Sequence, residues 1–331
     1  MSKVKHYQKE ILRMLENLRI GKRHKALAKK FGYLPYMIVR YEEMLGDPLP
    51  LLKAFEKEPN DAIRCNFLKT SCYDLKKRLE ERGFVLEQVP WSPHAFEVLK
   101  QPFSISSTPE HLDGWFFIQD KASTLPPLVL DPKPFQRVAD LASAPGGKAT
   151  YLAHLMGNSG ELYLFERRKD RAKALMSNLE RMEVLNAIPL IEDAYNAPKY
   201  GPFDKALLDA PCTGEGVIAR DPSRKTSRKP KDLALMHKVQ VVLLNRALDS
   251  LKSGGELVYS TCSIAPEENE MVIDTVLKSR EDVEVMDSGE AGSPGITKYF
   301  GFEFPFAIKC RRLWPHVHGS EGFFVCKLKK F

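Results

Sequence analysis

The sequence predicts an α/β fold: a doubly wound, mostly parallel sheet preceded by a helical segment and a small α+β unit. Three observations predict it. After Pro134, short apolar runs alternate regularly with amphipathic segments of helical spacing, the pattern of strands joined by helical crossovers. Those runs have short apolar centres, as strands covered on both faces do. Before Ile63 the apolar residues instead recur at helical spacing.

Taken in order, residues 4–31 carry Ile11, Leu12, Leu15, Leu18 and Ile20 on a helical face, and a second helix is predicted over 36–45, stopped by Gly46, Asp47 and Pro48. A strand (63–69), a helix (71–82, with Leu75 and Leu79 one turn apart and Gly83 closing it) and a strand (84–90) follow, then short apolar segments at 96–99 and 115–119. Beyond Pro134 the spacing predicts strands at 137–141, 161–166, 187–191, 204–209 and 255–261, and helices at 147–156, 168–184, 231–251 and 267–278. The run 321–330 predicts a last strand, antiparallel to one near 283–286.

At 331 residues, two domains are expected. No apolar stretch reaches the length needed to span a bilayer and the amino terminus is charged throughout, so a cytosolic protein with no membrane partner is expected. The six cysteines form no CxxC pair, and His316 and His318 have no neighbouring cysteine or carboxylate, so neither a metal nor a disulfide framework is expected. The net charge of +7 is concentrated: residues 1–30 hold ten Lys/Arg against two Glu, and 220–231 holds six against Asp221 alone. Such clusters suit phosphate backbones and point to RNA.

The run 137–141 breaks into Ala142-Ser143-Ala144-Pro145-Gly146-Gly147-Lys148, where bare glycine backbone at a helix start lets a ligand approach helix N–H groups. Glu166, 19 residues beyond Gly147, stands where an acidic side chain takes two ribose hydroxyls, and Asp193 ends the third strand within reach of an adenine edge. This spacing admits NAD as well. The GxGxxG fingerprint is absent and the turn would crowd a pyrophosphate, which favours S-adenosylmethionine.

Two cysteines follow two of the apolar runs, Cys212 in DAPCTG and Cys262 in STCS, so both thiols fall at carboxyl ends of strands, where open α/β sheets build sites. Carbon 5 of a pyrimidine is too weak a nucleophile to accept a methyl group. Adding a thiolate to carbon 6 turns the ring into an enamine that can accept one. Asp209, three residues before Cys212, is placed to hydrogen-bond ring nitrogen 3 and the exocyclic amine. Which thiol attacks is left open by their spacing.

The motifs RCNFLK (64–69), FIQDKAS (117–123), APGGK (144–148), DAPCTGEG (209–216), STCSIAPEENE (260–270) and RRLWPHVHGSEGFF (311–324) occur in the order found in the Nop/Sun RNA 5-methylcytosine methyltransferases, and the chain resembles that family over about residues 60–331. The amino-terminal part follows archaeal-like tRNA members. The resemblance implies a class I methyltransferase fold, with Cys262 as the nucleophile on carbon 6 and Cys212 assisting release. It also implies Lys148 and Asp209 at the reaction centre, and Glu166, Asp193 and Arg171 in the cofactor pocket. Ala142, Ser143 and Ala144 stand where many members have a cysteine, a departure that leaves catalysis untouched. The division expected is 1–60 helical and basic, 61–114 a small RRM-like α+β RNA-binding domain, and 115–331 the methyltransferase domain. Cytosine in tRNA is the expected substrate, with ribosomal RNA as the alternative; DNA is not expected, nor an oligomer. A non-catalytic RNA-binding or assembly factor is a further alternative, and an amine-directed methyltransferase is disfavoured because Cys212 stands where those enzymes place a base-stacking aromatic residue.

Overall fold

The computed structural model describes the backbone of residues 2–331 and the side chains from Tyr7 onward. The chain opens with helices α1 (Ser2–Glu16), α2 (Lys22–Phe31), α3 (Pro35–Leu45) and α4 (Leu49–Ala54). Next come β1 (Ala62–Cys65), α5 (Cys72–Glu81), β2 (Val85–Gln88), β3 (Ala95–Lys100), α6 (Pro109–Leu112), β4 (Phe116–Gln119) and α7 (Leu125–Leu130). The alternating part is β5 (Arg137–Asp140), α8 (Gly147–Leu155), β6 (Glu161–Phe165), α9 (Lys169–Arg181), β7 (Ala187–Leu190), β8 (Phe203–Asp209), α10 (Arg224–Ser227), α11 (Pro230–Asp249), β9 (Leu251–Thr261) and α12 (Glu270–Leu277). The chain ends with β10 (Val283–Met286), β11 (Ser293–Pro294), β12 (Lys298–Tyr299), β13 (Phe302–Glu303), β14 (Arg311–Leu313), α13 (Pro315–His318) and β15 (Phe323–Lys330).

These elements form two compact units that interleave along the chain. The first takes residues 1–59, 210–245 and 260–326. Its core joins Ile11 and Leu15 of α1, Met37, Ile38 and Tyr41 of α3, and Leu51 and Leu52 of α4 to Ile218, Leu233, Ile264, Met271, Tyr299, Phe304 and Trp314. Helix α3, started at Pro35 and stopped at Gly46, buries Tyr36, Met37, Ile38, Val39, Arg40 and Tyr41 and leaves Glu43 exposed. At the chain's end β14 pairs antiparallel with β15, Arg312 opposite Phe324, and β10 also pairs with β15.

The second unit takes residues 60–209, 246–259 and 327–331. It holds an antiparallel sheet of order β2-β3-β1-β4 whose core is Ile63, Leu75, Leu79, Phe84, Phe96, Val98 and Phe116. That sheet reaches Gln119, beyond the expected limit at 114, because Ala62 pairs with Gln119 and Cys65 with Phe116. The rest is the doubly wound part, with β9, β8, β5, β6 and β7 as successive neighbours and β8, β5, β6 and β7 all parallel. Val138, Leu162, Leu164, Leu207, Leu208, Leu257 and Val258 fill its interior, as parallel strands covered on both faces require. Asn66 docks the antiparallel sheet on α9 by donating to the carbonyls of Gly114 (3.1 Å) and Met182 (3.0 Å).

Two elements differ from the sequence expectation in an instructive way. The predicted strand 63–69 stops at Cys65, where Asn66 leaves the ladder to make that docking contact. The predicted helix 267–278 begins as a single 3-10 turn over Pro266–Glu268 and becomes α-helical only at Glu270, where the side chains of Glu267, Glu268 and Asn269 are engaged by Arg40, Thr213 and Thr261.

Candidate active site

In the first unit the two expected thiols meet. Strand β8 ends at Asp209 and β9 at Thr261, so Cys212 and Cys262 stand in the loops that leave them. Their Sγ atoms are 3.2 Å apart and both side chains are half-buried. The loops are pinned by backbone bonds: Ala210 N donates to Ser260 O (2.8 Å), Gly216 N to Cys262 O (3.0 Å) and Gly322 N to Gly216 O (2.9 Å). A Cβ on Gly216 would stand 2.0 Å from Gly322 O and 2.7 Å from Cys262 O, so only bare backbone allows the approach. At this separation one sulfur can exchange a proton with a group bonded to the other.

Around the thiols lies a frame of buried charge that sequence reasoning missed. Arg40 of α3 is fully buried between two fully buried glutamates. Its guanidinium donates to Glu215 (2.6 and 3.1 Å), to Glu267 (3.0 and 2.7 Å) and to the Tyr299 hydroxyl (3.1 Å). Burial alone would weaken that cation, yet the two carboxylates more than offset it and hold the Arg40 pKa well above its ordinary value. Arg312 is likewise buried against Glu270 and donates to Ile264 O (2.8 Å). Glu268 receives bonds from both cysteine loops, and burial pushes its pKa up to about 7. Asn269 accepts from Thr261 (2.6 Å) and donates to Ser263 O (2.8 Å). The signal was present: three glutamates and an asparagine set between the apolar residues of 264–273 demand partners if that stretch is buried.

In the second unit the expected cofactor turn follows β5. Gly146 adopts φ +115°, a conformation that favours glycine, and α8 begins at Gly147. A Cβ on Gly147 would stand 3.2 Å from both Gln119 Oε1 and the Phe117 ring, so the turn is cradled by β4. Ser143 N donates to Phe165 O (3.0 Å) and Arg171 Nη2 to Ala144 O (2.6 Å), which tie the turn to β6 and α9. Arg171 also lies 3.5 Å from Glu166, whose other oxygen accepts Arg168 N (2.8 Å). Asp193 accepts Tyr195 N (2.9 Å) at the end of β7. Lys148 Nζ lies 2.8 Å from Asp209 Oδ2. Thus Ala144, Glu166 and Arg171 meet around the turn, and Lys148 meets Asp209.

Beneath the turn Asp140 is buried, and its Oδ2 has no hydrogen-bond partner. Burial pushes its pKa up to about 7. Arg64, the first residue of RCNFLK, is fully buried against α8, donating to Thr150 Oγ1 (2.6 Å) and Gly147 O (3.4 Å) with its guanidinium 4.6 Å from the centre of the Tyr151 ring. The same motif supplies Asn66, so both residues fasten the antiparallel sheet to the helices beside the turn. The bare glycine backbone at a helix start, the Glu166 and Asp193 carboxylates at two strand ends, and the orphaned Asp140 oxygen match what the amino-acid tail, ribose and base of an adenosyl ligand require. No group of three or more His, Cys, Asp or Glu side chains that could hold a metal ion occurs among the described residues.

The basic stretch 220–231 differs from the free anion-binding loop that its composition suggests. Arg220 pairs with Glu321 (3.0 Å), Arg224 with Asp221 (2.9 Å), Lys225 with Glu56 (2.6 Å), and Arg228 donates to Thr213 O (3.1 Å). Lys229 and Lys231 remain exposed. Helix α2, by contrast, buries Ala28 and leaves Lys22, Lys25, Lys29 and Lys30 in solvent.

Comparison with known proteins finds similar sequences and structures. A family model described as 16S rRNA methyltransferase RsmB/F matches residues 127–329, and one for the N-terminal domain of 16S rRNA methyltransferase RsmF matches 34–121. The 25S rRNA (cytosine-C(5))-methyltransferase nop2 of Schizosaccharomyces pombe is 40% identical over 311 residues, covering 91% of this chain and 51% of that protein. A crystal structure of a methyltransferase homologue from Pyrococcus horikoshii is 41% identical with a TM-score of 0.87, covering 94% of this chain and 100% of the other. The structure of NSun6 from Pyrococcus horikoshii with SFG is 25% identical with a TM-score of 0.78, covering 88% and 96%. The chain spans between 39% and 58% of the length of the curated relatives it matches.

Proposed function

Because the chain belongs to the RsmB/F family of RNA methyltransferases, we propose that it transfers a methyl group from S-adenosylmethionine to carbon 5 of a cytosine in RNA. The observation that carries this reading is the pair of thiols 3.2 Å apart at the ends of β8 and β9. The sequence favoured tRNA. Relatives named as ribosomal RNA methyltransferases, those of Schizosaccharomyces pombe and Shewanella piezotolerans among them, support ribosomal RNA as the substrate proposed.

The turn 142–148 would hold the donor, with the start of α8 toward its carboxylate, Glu166 on the ribose hydroxyls and Asp193 near the base. The chemistry the donor supplies when bound is an electrophilic methyl group. The chain's own groups do the rest. The Cys262 thiolate adds to carbon 6, forming an S–C6 bond and leaving an enamine whose carbon 5 accepts the methyl group. Asp209, beside Lys148, accepts a hydrogen bond from the exocyclic amine and steadies the ring as the adduct forms. The proton on carbon 5 must then leave. Cys212 assists by accepting it as the S–C6 bond breaks, which restores aromaticity and frees Cys262. The base has to be extruded from its stack for both ring carbons to be reached. Helix α2, with its exposed lysines, is proposed to contact the RNA backbone.

Purified protein incubated with methyl-labelled donor and, in separate arms, ribosomal RNA transcripts and total tRNA tests the reading, the modified base being mapped by bisulfite sequencing. Label at cytosine carbon 5 in ribosomal RNA is expected. Label confined to tRNA would move the substrate, and donor binding without transfer to either RNA would overturn the catalytic reading in favour of an assembly factor.

A further inference from the structure

Backbone bonds pin the two cysteine loops, and a buried side chain ties them as well. One buried side chain touches both loops. Glu268 Oε1 accepts Thr213 N (2.8 Å) and Gln240 Nε2 (3.2 Å), and its Oε2 accepts Thr213 Oγ1 (2.6 Å) and Ser263 Oγ (2.5 Å). Thr213 follows Cys212 directly and Ser263 follows Cys262 directly. Gln240 closes the arrangement by donating also to Pro211 O (2.8 Å), one residue before Cys212. The carboxyl is fully buried and cannot reach a substrate.

We infer that Glu268 is a positioning residue that holds Cys212 and Cys262 in register for proton transfer and adduct release, an inference resting on the two-thiol reading above. Four donors converge on one group, and an ionised carboxylate offers lone pairs for all four. A glutamine in its place keeps one acceptor oxygen for Thr213 N and Gln240 Nε2, but its amide nitrogen can only donate, so the Thr213 and Ser263 hydroxyls would have to turn and accept instead. The hydroxyl-to-carboxylate bond from each loop is then lost, at no cost in side-chain volume. Thiol register is the quantity that suffers, and misplacement by about 1 Å can cost on the order of 100-fold in rate.

The test is Glu268→Gln, read in two ways. The first does not depend on methylation: folded protein is exposed to oxidised dithiothreitol, whose disulfide is attacked by one cysteine thiolate and displaced by the other, giving a Cys212–Cys262 disulfide and reduced dithiothreitol. Peptide mass mapping follows the two hydrogens lost, separately from the neighbouring pair Cys310 and Cys326. Closure in Glu268→Gln is expected to slow at least ~10-fold. The second readout is kinetic: kcat falls while KM for RNA is unchanged, and covalent protein–RNA adduct accumulates because release is the step impaired. Wild-type closure and wild-type adduct levels would overturn the inference. Failure of the methylation reading would show differently, as slowed closure without any adduct in either protein. Should Glu268→Gln not fold, Thr213→Val deletes only the hydroxyl tether. Slowed closure in that variant supports the role, and closure at the wild-type rate overturns it.

Discussion

Replacing Arg40 by methionine should expose how much of the site depends on a charge buried far from solvent. The side chain is fully buried and links α3 to Glu215, three residues after Cys212, and to Glu267, five after Cys262. Without the guanidinium two buried carboxylates lose their shared partner. Their cheapest escape is protonation, which from an ordinary glutamate pKa costs roughly 4 kcal/mol at pH 7 for one acid and about twice that for both. Methionine needs no hydration, which offsets part of that cost, and breaking a buried pair by removing one partner typically destabilises by about 3–5 kcal/mol. A loss in that range is expected in urea unfolding followed by circular dichroism. Protonation becomes easier as pH falls, so the gap between wild type and Arg40→Met should narrow from pH 8 to pH 6 by about 1.4 kcal/mol per unit for each proton taken up. The triple variant Arg40→Met/Glu215→Gln/Glu267→Gln should recover most of the loss. A loss below about 1 kcal/mol, or one independent of pH, would refute the argument that these charges are paired out of water.

Gly216→Ala should abolish methyl transfer and yield little folded protein, because its Cβ would meet the carbonyls of Gly322 and Cys262 at 2.0 and 2.7 Å. Soluble expression and donor transfer check this, and wild-type activity would contradict it. His237 is fully buried, bonded to Glu267 O (2.8 Å) and the Thr275 hydroxyl (3.2 Å), and burial lowers its pKa from 6.5 to about 4. The unfolded chain therefore takes up the proton first. The stability tied to neutral His237 is fully present above pH 6.5 and is lost as pH falls toward 4, by roughly 3 kcal/mol in all. Denaturant unfolding at several pH values should show that acid dependence shallower in His237→Gln, and parallel profiles would contradict it.

The doubly wound part was legible because its strands have short apolar centres set between helical segments, a local signal that needs no knowledge of partners. The positions of Cys212 and Cys262 followed from it. The buried charge network was not legible. Arg40 stands 175 residues from Glu215 and 227 from Glu267, and no local pattern tells a paired buried arginine from a solvated one. The same limit governs 220–231, where Lys225 looks free until Glu56, 169 residues away, is seen beside it. Strand β9 was expected over 255–261, whereas it begins at Leu251 and runs through Gly254 and Gly255. Interleaving of the amino-terminal helices with residues 210–245 and 260–326 is likewise a matter of long-range packing that periodicity does not report.

The central claim is that Cys262 bonds to the pyrimidine and Cys212 helps to break that bond. Its most direct measurement is the covalent protein–RNA adduct on a denaturing gel, in the presence of donor, for Cys262→Ala and Cys212→Ala side by side. The account predicts no adduct and no turnover for Cys262→Ala, and a persistent adduct for Cys212→Ala. An adduct formed by Cys262→Ala, or none formed by Cys212→Ala while methylation proceeds, would contradict it.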